Sequence, residues 1–184
     1  MKYFNIVIFL ILGALVYGIY FFMYRKTDLM IGDKAPDIRS TTIDGKMINL
    51  SQFQGKLVLL DFWGSWCTPC RKANPELAKL YNEFHDTLHS NFEIVSIAID
   101  DDTTALRQAI AQDGLAWPYQ IMEPKSGGPA TLDYKIKTIP ASYLINDQQM
   151  IIKVNPGIEE LRDILNKFVA VHYSKIKADS TGRK

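Results

Sequence analysis

Asp61, Cys67 and Cys70 fall within one short stretch, DFWGSWCTPCRKANPEL at residues 61–77, and the chain's two cysteines are both there. Such a pair has several chemistries open to it. A structural zinc site needs four ligands. The chain has no second cysteine pair, and His85, His89 and His172 lack zinc-finger spacing. Covalent haem attachment requires a histidine directly after the second cysteine, and Arg71 stands there. An inert buried pair leaves Trp66 and Pro69 unexplained. A redox pair, following a strand and opening a helix, accounts for the surroundings best.

The physical chemistry agrees. The chain is expected to turn at Gly64-Ser65 and to enter a helix near Cys67. Unpaired N–H groups and the helix dipole favour an anion at that point, which lowers a thiol's pKa. Pro69 suits an early helical position, where its missing N–H costs nothing. Cys70 lies about one turn further on, within reach of a disulfide to Cys67. Cys67 is therefore read as the attacking thiolate and Cys70 as the resolving one. Arg71 and Lys72 either add positive charge to the site or only solvate a helix face. Asp61 interrupts the apolar run LVLLDFW. An isolated buried carboxylate needs a partner, water or a proton.

These residues must be held by regular elements. LVLLDFW, 57–63, reads as a strand buried on both faces. The helix after it has Leu77, Leu80, Tyr81, Phe84 and Leu88 on one face. FEIVSIAI, 92–99, is the next strand, and a helix spans about Thr104 to Asp113, stopping at Gly114. Residues 123–129 form a loop. ASYLIN and MIIKVN form a hairpin around Asp147. A last helix follows Pro156-Gly157 and buries Leu161, Ile164, Leu165, Phe168 and Val169. Upstream, IRSTTIDGKMINL reads as a hairpin around Asp44-Gly45, with Ser51 capping a helical turn before Gly55. Strand–helix alternation over 57–113 implies parallel strands, and the later hairpin an antiparallel pair, hence a mixed sheet with helices on both faces.

Composition bounds the function. With 47% hydrophobic and 22% charged residues among 184, the chain has the material for one sizeable core. A net charge of +1, with no basic stripe, argues against a nucleic-acid binder. Tyr3 to Tyr24 is 22 residues without a charge, long enough to cross a bilayer. Tyr17, Tyr20 and Tyr24 lie where interfacial aromatics belong. Tyr, Phe and Met at its end do not suit a cleavage site, so an uncleaved anchor over 3–24 is expected. A linker over 25–36, a domain over 37–173 and a flexible tail over 174–184 complete the organisation.

FWGSWCTPC resembles the active site of the thioredoxin superfamily. More narrowly, GDKAPDI…DGKMINLSQFQGKLVLLDFWGSWCTPC is similar to the membrane-anchored TlpA/ResA-like thiol–disulfide oxidoreductases, and the likeness extends through IKTIPASYLIN over roughly residues 31–170. The resemblance implies a thioredoxin fold, a mixed central sheet flanked by helices, with an N-terminal hairpin extension. It implies a single-pass protein of the bacterial inner membrane whose catalytic domain faces the periplasm. There it would reduce protein disulfides, as in cytochrome c maturation, and take its electrons from an upstream membrane thiol reductant. Pro140 matches a proline with a cis peptide bond that faces the cysteines. Thr138 and Ile139, with Trp66 and Pro69, would line the groove for a partner's extended chain. Without the resemblance Pro140 reads as a strand-start residue. Asp61 matches the buried aspartate that accepts the resolving cysteine's proton. No cofactor or metal is implied. One departure stands out: several ResA-like proteins have a glutamate three residues after the second cysteine, where this chain has Ala73. A peroxiredoxin-like peroxide reductase shares the GDKAP opening, but Pro-x-x-x-Thr/Ser-x-x-Cys is absent from residues 60–70. A copper metallochaperone wants wider cysteine spacing and a nearby histidine.

Overall fold

The computed structural model describes residues 11–18, 29–87 and 91–181, with side chains as far as residue 171 apart from residue 86. Among the described residues the strands are β1 (Arg39–Thr41), β2 (Met47–Asn49), β3 (Leu57–Trp63), β4 (Phe92–Ile99), β5 (Tyr119–Glu123), β6 (Ala141–Ile145) and β7 (Ile151–Val154). Besides a helical stretch at 11–18, the helices among the described residues are α1 (Thr68–Thr87), α2 (Thr103–Asp113), α3 (Pro129–Asp133) and α4 (Ile158–Thr181).

Every residue of β3 is buried, and a strand covered on both faces belongs in the middle of a sheet. The main sheet has the order β5–β4–β3–β6–β7. β3, β4 and β5 run parallel, while β6 pairs antiparallel with both β3 and β7. Alternation along β3 divides its side chains. Leu57, Leu59 and Trp63 join the core formed with Leu77, Leu80 and Phe84 of α1 and Leu161 and Leu165 of α4. Val58, Leu60 and Phe62 join the opposite core with Ile48, Phe53 and Tyr134. Asp61, being odd, belongs to the face that α1 covers.

The expected elements are present, with corrections of detail; β5 and α3, which bound the expected 123–129 loop, were not read from the sequence. The helical turn before Gly55 is a 3-10 turn at Leu50–Phe53 with Asn49 at its N-cap position. Ser51, expected as its cap, lies inside it and donates its N–H to Asp37 Oδ1 at 2.9 Å. The last helix keeps helical backbone to Thr181, beyond residue 173, where the sequence reading ends the domain. Of the buried face expected for α1, Leu88 lies outside the described residues.

Both edges of the main sheet are covered by chain that precedes β3. On the β5 side, Ile43 N–H donates to the Gln120 carbonyl at 2.8 Å beside a Thr42–Ile121 bridge. On the β7 side, Gly32 N–H donates to Ile151 O at 2.8 Å and Ala35 N–H to Gln149 O at 2.9 Å. The described part of the segment read as a linker is thus an edge pairing. Unpaired edge N–H and C=O groups favour such cover, and the polar GDKAP stretch has no strand periodicity that would announce it.

The expected anchor over 3–24 lies outside the described residues except for 11–18, which are helical and exposed. Among the described residues no helix is long and apolar enough to cross a membrane.

Candidate active site

The disulfide Cys67–Cys70 is closed, with the Cα atoms 5.3 Å apart. Cys67 immediately precedes the first residue of α1, and Pro69 is the second residue of that helix. The Cys70 N–H points at Cys67 Sγ, 3.3 Å away. A backbone donor aimed at a sulfur favours its anionic form. Both cysteines are largely covered, Cys67 being 4% and Cys70 1% exposed.

Two other carboxylates shape the loop that carries Cys67. Asp100, at the end of β4, accepts the Ser65 N–H at 2.9 Å and the Asp101 N–H at 3.0 Å. Burial pushes its carboxyl up, but hydrogen bonds from Ser65, Asp101 and Asp102 outweigh that and hold it below the ordinary range. Gly64 is required by space: an added Cβ would sit 2.9 Å from Trp66 Nε1 and 3.1 Å from the Ile99 carbonyl. Trp66 donates that Nε1–H to the same carbonyl at 2.9 Å, yet leaves 53% of itself exposed. Trp63 is fully buried.

Arg71 is committed rather than free. It grips Asp113 at the end of α2 through Nε at 2.5 Å and Nη2 at 2.8 Å, and reaches the Ser65 carbonyl at 3.3 Å. Asn74 adds a 2.8 Å bond to the same carboxylate. Neither sequence option for Arg71 foresaw this clamp. Asp113 reads as the last residue of a helix, and nothing local says that it faces inward.

Asp61 lies opposite Ser96 on β4 and Ser142 on β6. It accepts a hydrogen bond from Ser96 Oγ at 3.4 Å, and Ser96 accepts from Trp117 Nε1 at 2.9 Å. Burial drives its pKa up to about 7, against the opposing hydrogen bond from Ser96. The carboxyl lines a cleft of about 250 Å³ together with Ala73, Asn74, Leu77, Pro140 and Ser142. Among the described residues lining that cleft, Asp61 alone is ionisable. The glutamate position of several ResA-like proteins is therefore an alanine in the wall of the same cleft. Ser96 and Trp117 were not singled out from the sequence; the available signal was Ser96 as a polar residue within the largely apolar β4.

The Ile139–Pro140 peptide bond is cis. Pro140 lines the Asp61 cleft, whereas Ile139 and Thr138 line a second one with Trp66. Pro69 and Thr68 are exposed beside the disulfide. Of the expected substrate-facing residues, Pro140 thus lines one concavity and Trp66, Thr138 and Ile139 another, while Pro69 lines neither. No group of three or more His, Cys, Asp or Glu side chains suited to a metal occurs among the described residues. The arrangement can run dithiol–disulfide exchange: a closed disulfide with one sulfur just before a helix start, and on the same sheet face a carboxyl that burial raises to about 7.

Known proteins agree with that chemistry. The sequence profile of the AhpC/TSA family matches residues 31–154. The thiol-disulfide oxidoreductase ResA of Bacillus thuringiensis subsp. konkukian is 32% identical over 168 residues, covering 90% of this chain and 93% of its own. ResA of Bacillus subtilis is 30% identical over 153 residues, covering 82% of each. Among solved structures, the thioredoxin domain of a thiol-disulfide oxidoreductase from Bacteroides vulgatus superposes with a TM-score of 0.68 at 30% identity, over 77% of this chain and 99% of that one. A thiol:disulfide interchange protein from Bacteroides sp. gives the same score and identity over 77% and 91%.

Proposed function

The chain belongs to the AhpC/TSA family and is a thiol–disulfide oxidoreductase of the ResA type, and we propose that it reduces protein disulfides outside the cytoplasm while tethered to the bacterial inner membrane by residues 3–24. The observation that carries the reaction is the Cys67–Cys70 pair at the start of α1 on the sheet face that holds Asp61.

The reduced enzyme starts with both thiols free. The Cys67 thiolate, favoured by the helix start and by the Cys70 N–H, attacks one sulfur of the substrate disulfide. A mixed disulfide forms and the first substrate thiolate leaves. Cys70 then gives its proton to Asp61, directly or through one water, and attacks Cys67 Sγ. The second substrate thiolate leaves, and the enzyme is left with the disulfide seen here. Two electrons have passed to the substrate, and an upstream membrane dithiol restores them by the same exchange. A carboxyl titrating at about 7 is ionised enough to accept a proton and acidic enough to release it at neutral pH. Trp66, Pro69, Thr138, Ile139 and Pro140 present the exposed surface on which a substrate chain would lie.

Location rests on the uncharged run from Tyr3 to Tyr24 and on the resemblance to anchored relatives. Carbonate extraction should leave the full-length protein in the membrane fraction, and external protease should reach the domain in spheroplasts. Release by carbonate, or protection with controls cleaved, would overturn the anchor or the orientation respectively. For the reaction, Cys67→Ser should abolish exchange, and Cys70→Ser should accumulate mixed disulfides on non-reducing gels after an acid quench. Faster alkylation of Cys70 than of Cys67 in the reduced protein would reverse the roles. A reduction potential of about −270 mV marks a reductant and about −120 mV an oxidant. A peroxide-consumption assay separates this reading from peroxide reduction.

A further inference from the structure

The side of the disulfide away from Asp61 carries a feature that the exchange chemistry does not require. The cleft of about 280 Å³ beside Trp66 continues into another of about 360 Å³, because Lys125, Thr131, Ile136 and Lys137 line both. Its apolar floor runs from Trp66 and Ile139 past Ile136 to Leu132, which is 69% exposed. Its cationic rim is Lys125, Lys135 and Lys137. The chain as a whole carries only +1, so three lysines on one groove are a local excess.

The rim is a built feature. Glu123 accepts the N–H groups of Ala130 and Thr131 at 2.7 and 2.8 Å, together with the Thr131 hydroxyl, and so folds the 124–131 loop over. Gly128 permits this, since a Cβ there would lie 2.5 Å from the Glu123 carboxyl carbon. The folded loop sets Lys125 Nζ 5.5 Å above the Trp66 ring, next to the residue that precedes Cys67. Lys135 is held at φ 53, a conformation that favours glycine or asparagine, and yet a lysine occupies it. Glu123 is buried beneath the loop, Asp101 takes the Lys125 N–H at 3.1 Å, and Asp102 caps α2. Among the described lining residues of both clefts, none is acidic.

We propose that this groove selects its substrate: it receives an extended segment whose reactive cysteine is flanked by acidic residues, with an apolar side chain seated between Trp66 and Leu132. The proposal rests on the disulfide-reductase reading above and specifies its substrate class. Charge complementarity speeds encounter and orients the chain before exchange, and salt weakens it.

The test uses the full-length chain, reduced, in non-ionic detergent. Three disulfide peptides differ only in the residues flanking the cysteine: Asp and Glu, Ser and Gln, or Lys. Neutral 2-hydroxyethyl disulfide is the reference substrate, and each peptide rate is divided by the reference rate of the same protein. At low salt the acidic peptide should exceed the neutral one about tenfold in kcat/KM, with the lysine peptide slowest, and 0.3 M salt should shrink the spread to about threefold or less. Lys125→Glu with Lys137→Glu should reverse the order of the acidic and lysine peptides. Equal normalised rates for all three peptides, or an order unmoved by the double variant, would overturn the proposal. Failure to reduce 2-hydroxyethyl disulfide would instead bring down the reductase reading beneath it.

Discussion

The floor and the rim of the site both contain buried aspartates, and the two places treat them oppositely. On the rim, Asp113 receives two nitrogens of Arg71 and one of Asn74, and Asp100 receives backbone N–H groups. On the floor, Asp61 receives one long bond from Ser96. The rim carboxylates are satisfied and hold the shape of the cysteine loop. The floor carboxylate is under-bonded, and burial lifts its pKa to about 7. All three are largely covered; at Asp61 burial prevails over its single donor, whereas at Asp100 several donors outweigh burial. A carboxylate held below the ordinary range, as Asp100 is, has no proton to trade at neutral pH.

Asp61→Asn should break the comparison most visibly. It keeps the shape and removes the proposed acceptor, so single-turnover reduction should slow about a hundredfold near pH 6.5. The deficit should narrow toward pH 9, where Cys70 ionises unaided. Stability supplies a second readout. Because the folded pKa of Asp61 lies above its unfolded value, wild type binds the extra proton when folded and loses stability as pH rises between about 4 and 7. The Asn variant lacks that loss. In the oxidised protein its advantage should be absent at pH 4 and on the order of 4 kcal/mol at pH 8. Wild-type rates combined with lower stability at pH 8 would place Asp61 with the rim residues.

The rim variants should show the converse. Asp113→Ala leaves the Arg71 guanidinium half-buried and unpaired, which should cost about 2–4 kcal/mol in denaturant unfolding. Exchange rates, measured where the variant is folded, should fall less than tenfold. A hundredfold loss of rate in a stable variant would make the clamp part of the chemistry. Asp100→Asn should cost less, about 1–2 kcal/mol at neutral pH. Its pH dependence has the opposite sign to that of Asp61. A carboxyl held below its ordinary pKa contributes stability above about pH 4 and loses it as pH falls through the lowered value. The Asn variant should therefore match wild type at acid pH and fall behind above it. The smallest effect belongs to Ser96→Ala. Removing its hydrogen bond lifts Asp61 further, so the pH profile of resolution should move alkaline by less than about one unit. A profile that stays put would mean that the 3.4 Å bond does not set Asp61's acidity.

Much of this site was legible in the sequence for a local reason. The cysteine pair, the strand before it and the helix after it occupy contiguous residues, and each leaves a periodic or compositional mark. Asp61 showed itself as a single polar residue in an apolar run. Its partners did not. Ser96 is 35 residues away, and Trp117 is 21 beyond that. The Arg71–Asp113 clamp spans 42 residues, and the Lys34 edge bridge to Met150 spans more. Such pairings depend on strand register and on which end of α2 meets α1, and short-range periodicity carries neither.

By itself, then, the sequence determined the element types along most of the chain, the redox pair, and the mixed sheet, because hydrophobic periodicity and a Cys-x-x-Cys at a strand–helix junction are local properties. Only the tertiary structure decided how each ionisable group is treated. It set β3 beside β4 so that a serine faces Asp61, gave Arg71 to Asp113, and folded the 124–131 loop onto Glu123 to bring Lys125 over Trp66. The physical reason is that a carboxylate's acidity depends on its burial and on the donors that reach it, and those donors come from strands and helices distant in the chain.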